Sequence, residues 1–178
     1  MNKVIKEIKR FVDNSRDKTV AIEEIKDILF SMSPLNKQPI DRVKWVSLDA
    51  IQPNDYNPNS IAKIEMRLLL RSIEHDNYTQ PVVTVYDPVQ DKYIIVDGFH
   101  RYFVMKTNKE IYNRTGGLLP ITIIDKEVND RMASTIRHNR ARGKHSIQGM
   151  SNMVFNMLEN GWKDEEICNE LGMESEEI

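Results

Sequence analysis

Tyr93-Ile94-Ile95-Val96-Asp97-Gly98-Phe99-His100-Arg101-Tyr102-Phe103 is the stretch on which the fold turns. It opens with β-branched and aromatic residues, as a buried strand does. It breaks on a carboxylate and a glycine, and a run able to form a helix follows at once. A strand that stops at glycine and turns into a helix leaves the first backbone N–H groups without intrahelical partners and with partial positive charge. Arg101 brings a guanidinium fork to the same place, a shape that matches phosphate oxygens two at a time. Its position predicts that it faces a ligand rather than the core. Asp97 is placed either to hold a metal ion or to orient His100. The chemistry is that of an anion site, and phosphate is the anion it suits best. The same letters also suit a plain strand–turn–helix junction with Asp-Gly as turn chemistry and His and Arg as surface residues. Alone, D-G-x-H-R does not decide between the two.

The flanks supply partners for this strand. Thr79-Gln80-Pro81 leads into an apolar run, Val82 to Tyr86, and Asp87-Pro88-Val89-Gln90-Asp91 reads as a hairpin turn returning to Tyr93. Upstream, the alternating Val43 to Leu48 predicts a strand, Asp49 a turn, and the Asn/Asp/Pro-rich Asn54 to Asn59 a loop. Ser60 is a good N-cap for a helix through about Asp76, with Ile64, Leu68 and Ile73 among its apolar positions. Downstream the helix is expected to run to Thr107. A flexible connection through Gly116-Gly117 and a strand from Leu119 to Asp125 follow.

The two ends differ in character. Residues 1–31 read as two amphipathic helices broken at Asn14-Ser15-Arg16-Asp17, with Val4, Ile5, Ile8, Phe11 and Val12, then Ile22, Ile25, Ile28 and Leu29, at helical spacing. Their role is to cap the core or to mediate self-association. Arg131 to His145 holds five Lys or Arg, two His and no carboxylate. Met132 and Ile136 give it one apolar side, so the other is a basic surface suited to a nucleotide or polyanion, where a plain charge run would be only a solvated face. The acidic tail reads as a helix from Ile147 to Glu159, a turn at Asn160-Gly161, and a second helix from Glu165 to Leu171 capped by Asp164. That is the rhythm of a helix-turn-helix. A recognition helix does not follow, which argues against DNA reading by this segment alone.

At 178 residues and 40% apolar content the chain suits one core with appendages, and its net charge of −2 excludes a protein that is basic throughout. The single Cys168 excludes a disulfide framework within the chain and any multi-cysteine metal site. No apolar run approaches membrane-spanning length and the N-terminus lacks a signal-peptide core, so a cytoplasmic location without membrane contact is expected.

Taken together, Thr79-Gln80-Pro81-Val82-Val83, Val96-Asp97-Gly98-Phe99-His100-Arg101 and Arg137-His138-Asn139-Arg140-Ala141-Arg142 resemble the ParB/sulfiredoxin superfamily over about residues 43–145. The branch they look most like is the IbrB-like one, whose members are described as co-activators or partners of a phosphoadenosine-phosphosulfate-reductase-like protein. The resemblance implies an α+β fold: a small mixed sheet with flanking helices, N-terminal helices over 1–42, a core over 43–130, and a basic box with a helix-turn-helix-like tail over 131–178. It implies that Thr79, Gln80 and Pro81 line a nucleobase pocket, that Gly98, His100 and Arg101 cradle phosphates, and that His138, Asn139 and Arg142 complete the site. The nucleotide would be ATP, ADP or CTP, with Mg²⁺ on Asp97. At His138 the sequence departs from the family's Glu-Asn-x-x-Arg box. Imidazole is a poor magnesium ligand, which weighs against a CTPase that drives a DNA clamp.

Two enzymes of the superfamily mark further alternatives. Sulfiredoxin needs a nucleophilic cysteine where this chain has Phe99, so that activity is excluded. The free-serine-kinase group uses the Asp of its D-G-x-H-R motif with an upstream carboxylate, here Asp97 and Asp55. Asp97, His100 and Asp55 are thus the candidate catalytic residues. Three readings remain: a nucleoside triphosphatase or small-molecule kinase, a non-catalytic regulator of nucleotide, DNA or a partner protein, and a partition-type DNA clamp. A homodimer is compatible with each.

Overall fold

In the computed structural model, which describes residues 2–54, 63–125, 147–171 and 173, the chain opens with α1 (Asn2–Asn14) and α2 (Lys18–Met32). Next come β1 (Lys44–Ser47), β2 (Ile51–Gln52), α3 (Lys63–Asp76), β3 (Val82–Asp87) and β4 (Lys92–Asp97). The remainder is α4 (Phe99–Thr107), α5 (Lys109–Arg114), β5 (Leu118–Ile123), α6 (Ile147–Glu159) and α7 (Asp164–Leu171). The strands form one mixed sheet in the order β1-β5-β3-β4-β2. The β1–β5 and β3–β4 pairs are antiparallel, and β5–β3 and β4–β2 are parallel. This is the expected α+β architecture.

Local chemistry explains most of the boundaries. Asp87 turns the central hairpin, its Oδ1 accepting the N–H groups of Val89 at 2.9 Å and Gln90 at 3.3 Å. Asp17 caps α2 by accepting from Thr19 and Val20. Gly161, at φ 80°, ends α6: its N–H donates to Leu158 O at 2.9 Å and that of Trp162 to Met157 O at 3.0 Å. Trp162 then packs against Met157, the paired bonds and apolar contact of a Schellman ending. Val154, Met157 and Ile167 form a small core of their own in this helix pair.

The main core lies between the sheet and α3–α5. Val82, Ile95, Leu119 and Ile121 from the strands meet Ile73, Tyr102, Met105 and Ile111 from the helices. Thr84, fully buried, directs its hydroxyl to Thr122 O at 3.1 Å, so no buried hydroxyl is left unpaired there.

Several expectations change. Ile51–Gln52, between the expected turn and the expected loop, is a short strand that the sequence reading left unassigned; two residues are too few to show a period, and only pairing with β4 reveals it. The expected flexible connection contains α5, which Asn108 caps by accepting from Glu110 and Ile111 at 3.0 Å each. Gly117 closes that helix, its N–H donating to Tyr112 O at 2.8 Å. The last strand spans 118–123 rather than 119–125. Asp164 is the first residue of α7 rather than its cap, and Glu166 in the first turn reaches back to accept the Lys163 N–H at 2.9 Å. On α3, Ile64 and Leu68 are exposed while Met66, Leu69 and Leu70 pack beside Ile73. The Ser60 cap and the basic segment 131–145 lie outside the described residues.

Candidate phosphate site

The strand pairings bring two of the three motifs together. β3 and β4 are antiparallel with Val83 opposite Asp97, so the Thr79-Gln80-Pro81 segment entering β3 lies beside the Asp97-Gly98 turn. β2 runs parallel to β4 and leaves the sheet at the same edge. Asp55, just beyond it, lies outside the described residues, as do His138, Asn139 and Arg142.

Gly98 makes the junction. It is the N-cap of α4 with φ 91° and ψ 22°, a left-handed conformation that costs an L side chain about 1–2 kcal/mol. A Cβ there would stand 2.6 Å from Arg101 Nη2 and 2.9 Å from Nε. The turn calls for glycine, and any Cβ would also displace the guanidinium lying over it. The Gly98 carbonyl accepts from the N–H groups of Arg101 at 2.9 Å and Tyr102 at 3.2 Å, which starts the helix.

Arg101 differs from its expectation. It is buried rather than presented outward, with Nη1 donating to Gln80 Oε1 at 2.7 Å and Nη2 to Asp97 Oδ2 at 3.4 Å. Packing against Gly98 draws it in, and it supports the edge of the core as well as lining the turn. Gln80 and Thr79 are exposed, Pro81 and His100 half-buried, and Asp97 is 5% exposed. The Phe99 ring meets His100 edge-on at 5.7 Å and lies near-parallel to Phe103 at 6.1 Å. Phe99 is thus a packing residue, and its hydrocarbon ring has no group able to attack phosphorus or sulfur.

Tyr78 escaped the sequence reading. Its hydroxyl donates to the Arg101 carbonyl at 3.0 Å, tying the segment before β3 to the first turn of α4. Burial pushes the phenol up to about 12 against the opposing fields of Arg114 and Arg101, so it remains a donor at any ordinary pH. An aromatic directly before Thr-Gln-Pro was the available signal.

Of the candidate set Asp97, His100 and Asp55, the expected magnesium ligand Asp97 is the one carboxylate within the described residues. Asp97 offers one carboxylate that already faces the Arg101 cation, and no group of three or more His, Cys, Asp or Glu among the described residues could hold a metal.

Over 162 residues the chain is 44% identical to the uncharacterized protein YbdM of Escherichia coli (strain K12), covering 91% of this chain and 77% of that one. The chain belongs to the YbdM family. Within this YbdM-type chain, residues 145–178 match the family model of the IbrB-like C-terminal HTH domain, which bears out the IbrB-like resemblance and the helix-turn-helix rhythm of the tail. Solved structures that superpose on 76% of the chain include C-terminally truncated ParB of Caulobacter crescentus, at 18% identity. The complex with CTP-gamma-S is covered over 74% with a TM-score of 0.45, and the complex with the centromeric parS site over 66% with a TM-score of 0.48. The reductase-like partner expected from the family likeness has no counterpart in these matches. No described helix of this YbdM relative is long and apolar enough to cross a membrane.

Proposed function

We propose that the β4–α4 junction binds the phosphates of a nucleoside di- or triphosphate and that the protein acts as a nucleotide-responsive regulator. One observation carries the reading. Arg101 is held over Gly98 at a helix N-terminus by Gln80 and Asp97, so a guanidinium and the first helical N–H groups converge on one spot. A phosphate oxygen arriving there replaces the neutral Gln80 amide with a charge-assisted pair, and the released amide then turns toward the base. His100 stands on the same first turn. Asn139 and Arg142 of the basic segment are assigned to the outer phosphates. ATP, ADP and CTP are the candidates, and turnover is not needed for the role.

Calorimetric titration of CTP, ATP, ADP and adenosine phosphosulfate tests this. At least one should bind, with Arg101→Ala weakening it roughly tenfold to a hundredfold. The failure of all four to bind the folded chain would sink the reading.

The match of residues 145–178 to a helix-turn-helix domain favours a second, compatible role in DNA contact. The acidic first turn of α7, with Asp164, Glu165 and Glu166, opposes it. Alanine variants separate the two. A DNA stripe over Arg137, Arg140, Arg142 and Lys144 would give similar small losses and a log–log salt slope of about −0.9 per contact. A nucleotide pocket would give large losses at Asn139 and Arg142 alone.

A further inference from the structure

We propose that the outward face of α3 docks the acidic helix pair α6–α7 of a second copy of this chain. α3 has two apolar sides. Met66, Leu69, Leu70 and Ile73 pack into the core, while Ile64 and Leu68, one turn apart on the opposite side, are 64% and 62% exposed. Arg71 and His75 continue that outward stripe at i+7 and i+11, with Arg67 beside it. Glu65 and Glu74 lie on the two flanks, Glu74 accepting from Asn108 at 3.5 Å, and Asp76 accepts from Ser72 at 3.4 Å. The stripe itself holds no carboxylate, and among the described residues Arg67 and Arg71 form no ion pair.

α6 has the complementary build. Val154 and Met157 pack with Ile167 of α7, whereas Phe155 and Leu158 lie off that side and are 60% and 42% exposed. Glu159 stands one turn from Phe155 on the same side and is the single charged residue of α6. Residues 147–171 hold Lys163 against Glu159, Asp164, Glu165, Glu166 and Glu170, a balance of 1 − 5 = −4. Glu159, Asp164 and Glu165 form no ion pair among the described residues.

These unpaired charges choose the pairing. Two α3 helices face to face set one basic stripe against another, and two copies of α6–α7 set acid against acid. Only α3 against the α6–α7 pair of a second copy joins apolar side chains to apolar side chains and guanidinium to carboxylate. A two-fold axis makes that contact twice and closes the dimer. Two apolar side chains from each side of a contact place it at the weak, transient end of the interface range.

The test is the mass of the full chain by analytical ultracentrifugation, at concentrations up to about 100 µM, where mass action favours association. The wild type should approach twice the 20.8 kDa chain mass as concentration rises, with or without nucleotide. One variant carries Arg67→Glu with Arg71→Glu, and a second carries Glu159→Lys with Glu165→Lys. All four positions are exposed, so circular dichroism should show unchanged helicity. Each variant alone should stay at the chain mass. An equimolar mixture of the two should dimerise, because both contacts of the mixed pair then join a basic stripe to an acidic one. A wild type that stays monomeric at every concentration overturns the proposal. So does a dimer that survives either pair of substitutions, or a mixture that stays monomeric, which would place the contact within one chain.

Discussion

Arg42 and Arg101 are 7% and 9% exposed and sit in equally tight quarters, yet they are held in different ways. Arg42 donates from Nε to Asp27 at 2.9 Å and from Nη1 to Val43 O at 2.6 Å. Its Nη2 donates to the side chain and the carbonyl of Glu23, at 2.6 and 3.0 Å. Two carboxylates and two carbonyls fix it, and through it α2 is pinned to the start of β1. The side-chain partners described for Arg101 include an exposed, neutral amide at 2.7 Å and a carboxylate at the long distance of 3.4 Å. Short charge-matched contacts make an arginine part of the scaffold. In the proposed site, a neutral amide is a partner that an incoming anion can outcompete.

The largest effect should come from Arg42→Ala. It leaves Glu23 with Lys26 and Asp27 with Lys44, removes two ion pairs and two bonds to carbonyls, and should lower stability by about 2–3 kcal/mol in urea unfolding, with nucleotide affinity unchanged. An equal loss of affinity would erase the distinction between the two arginines. Arg101→Ala should do the reverse: affinity falls by about 1.5–3 kcal/mol while stability drops by only about 1 kcal/mol. Arg101→Lys sharpens the point, since it keeps the charge and loses the fork; affinity close to the alanine variant would show that geometry matters more than charge.

Tyr78→Phe removes one hydroxyl–carbonyl bond and should cost about 1 kcal/mol of stability, with affinity changed only a few-fold. Because the folded phenol is raised from 10.0 to about 12, its contribution is present below pH 10 and is lost as pH rises through the folded value. An ultraviolet pH titration should find one tyrosine ionising last, and its absence in Tyr78→Phe confirms the assignment.

The smallest effect is at acid pH. Burial alone would raise the Glu23 carboxyl, but hydrogen bonds and charge from Lys26 and Arg42 outweigh it and hold it below 4.5; Arg42 and Lys44 likewise hold Asp27 below 3.8 against its own burial. Both pairs therefore stabilise fully above these ordinary values and lose their contribution as pH falls through the lowered ones. Asp27 stands half in solvent, so each is worth under about 1 kcal/mol. The stability gap between wild type and Arg42→Ala should narrow on moving from neutral pH to about pH 3; a constant gap would show that Arg42 acts by packing alone.

The letters of the chain went far where the physics is local. Asp17 opening α2, Asp87 turning the hairpin, Gly98 ending β4 and Gly161 ending α6 each act on backbone groups within a few residues, so a short window contains both cause and effect. The two-residue strand β2 and the short α5 were lost for the opposite reason: neither is long enough to show a period, and each is held by a pairing or packing partner elsewhere in the chain. On α3, apolar letters at 64 and 68 suggested core, but the packed face is the one that carries Met66, Leu69 and Ile73.

By itself the sequence determined that a strand breaks at Asp97-Gly98 into a helix bearing His100 and Arg101, and that two amphipathic helices precede the core. Only the tertiary structure decided that Arg101 turns inward and meets Gln80, 21 positions away, and that Arg42 reaches back to carboxylates 15 and 19 positions before it. Antiparallel pairing of β3 with β4 sets the first contact, and the docking of α2 against the start of β1 sets the second. Both depend on which distant segments share a boundary, a choice made by the burial of the whole sheet and its helices and carried by no single stretch of residues.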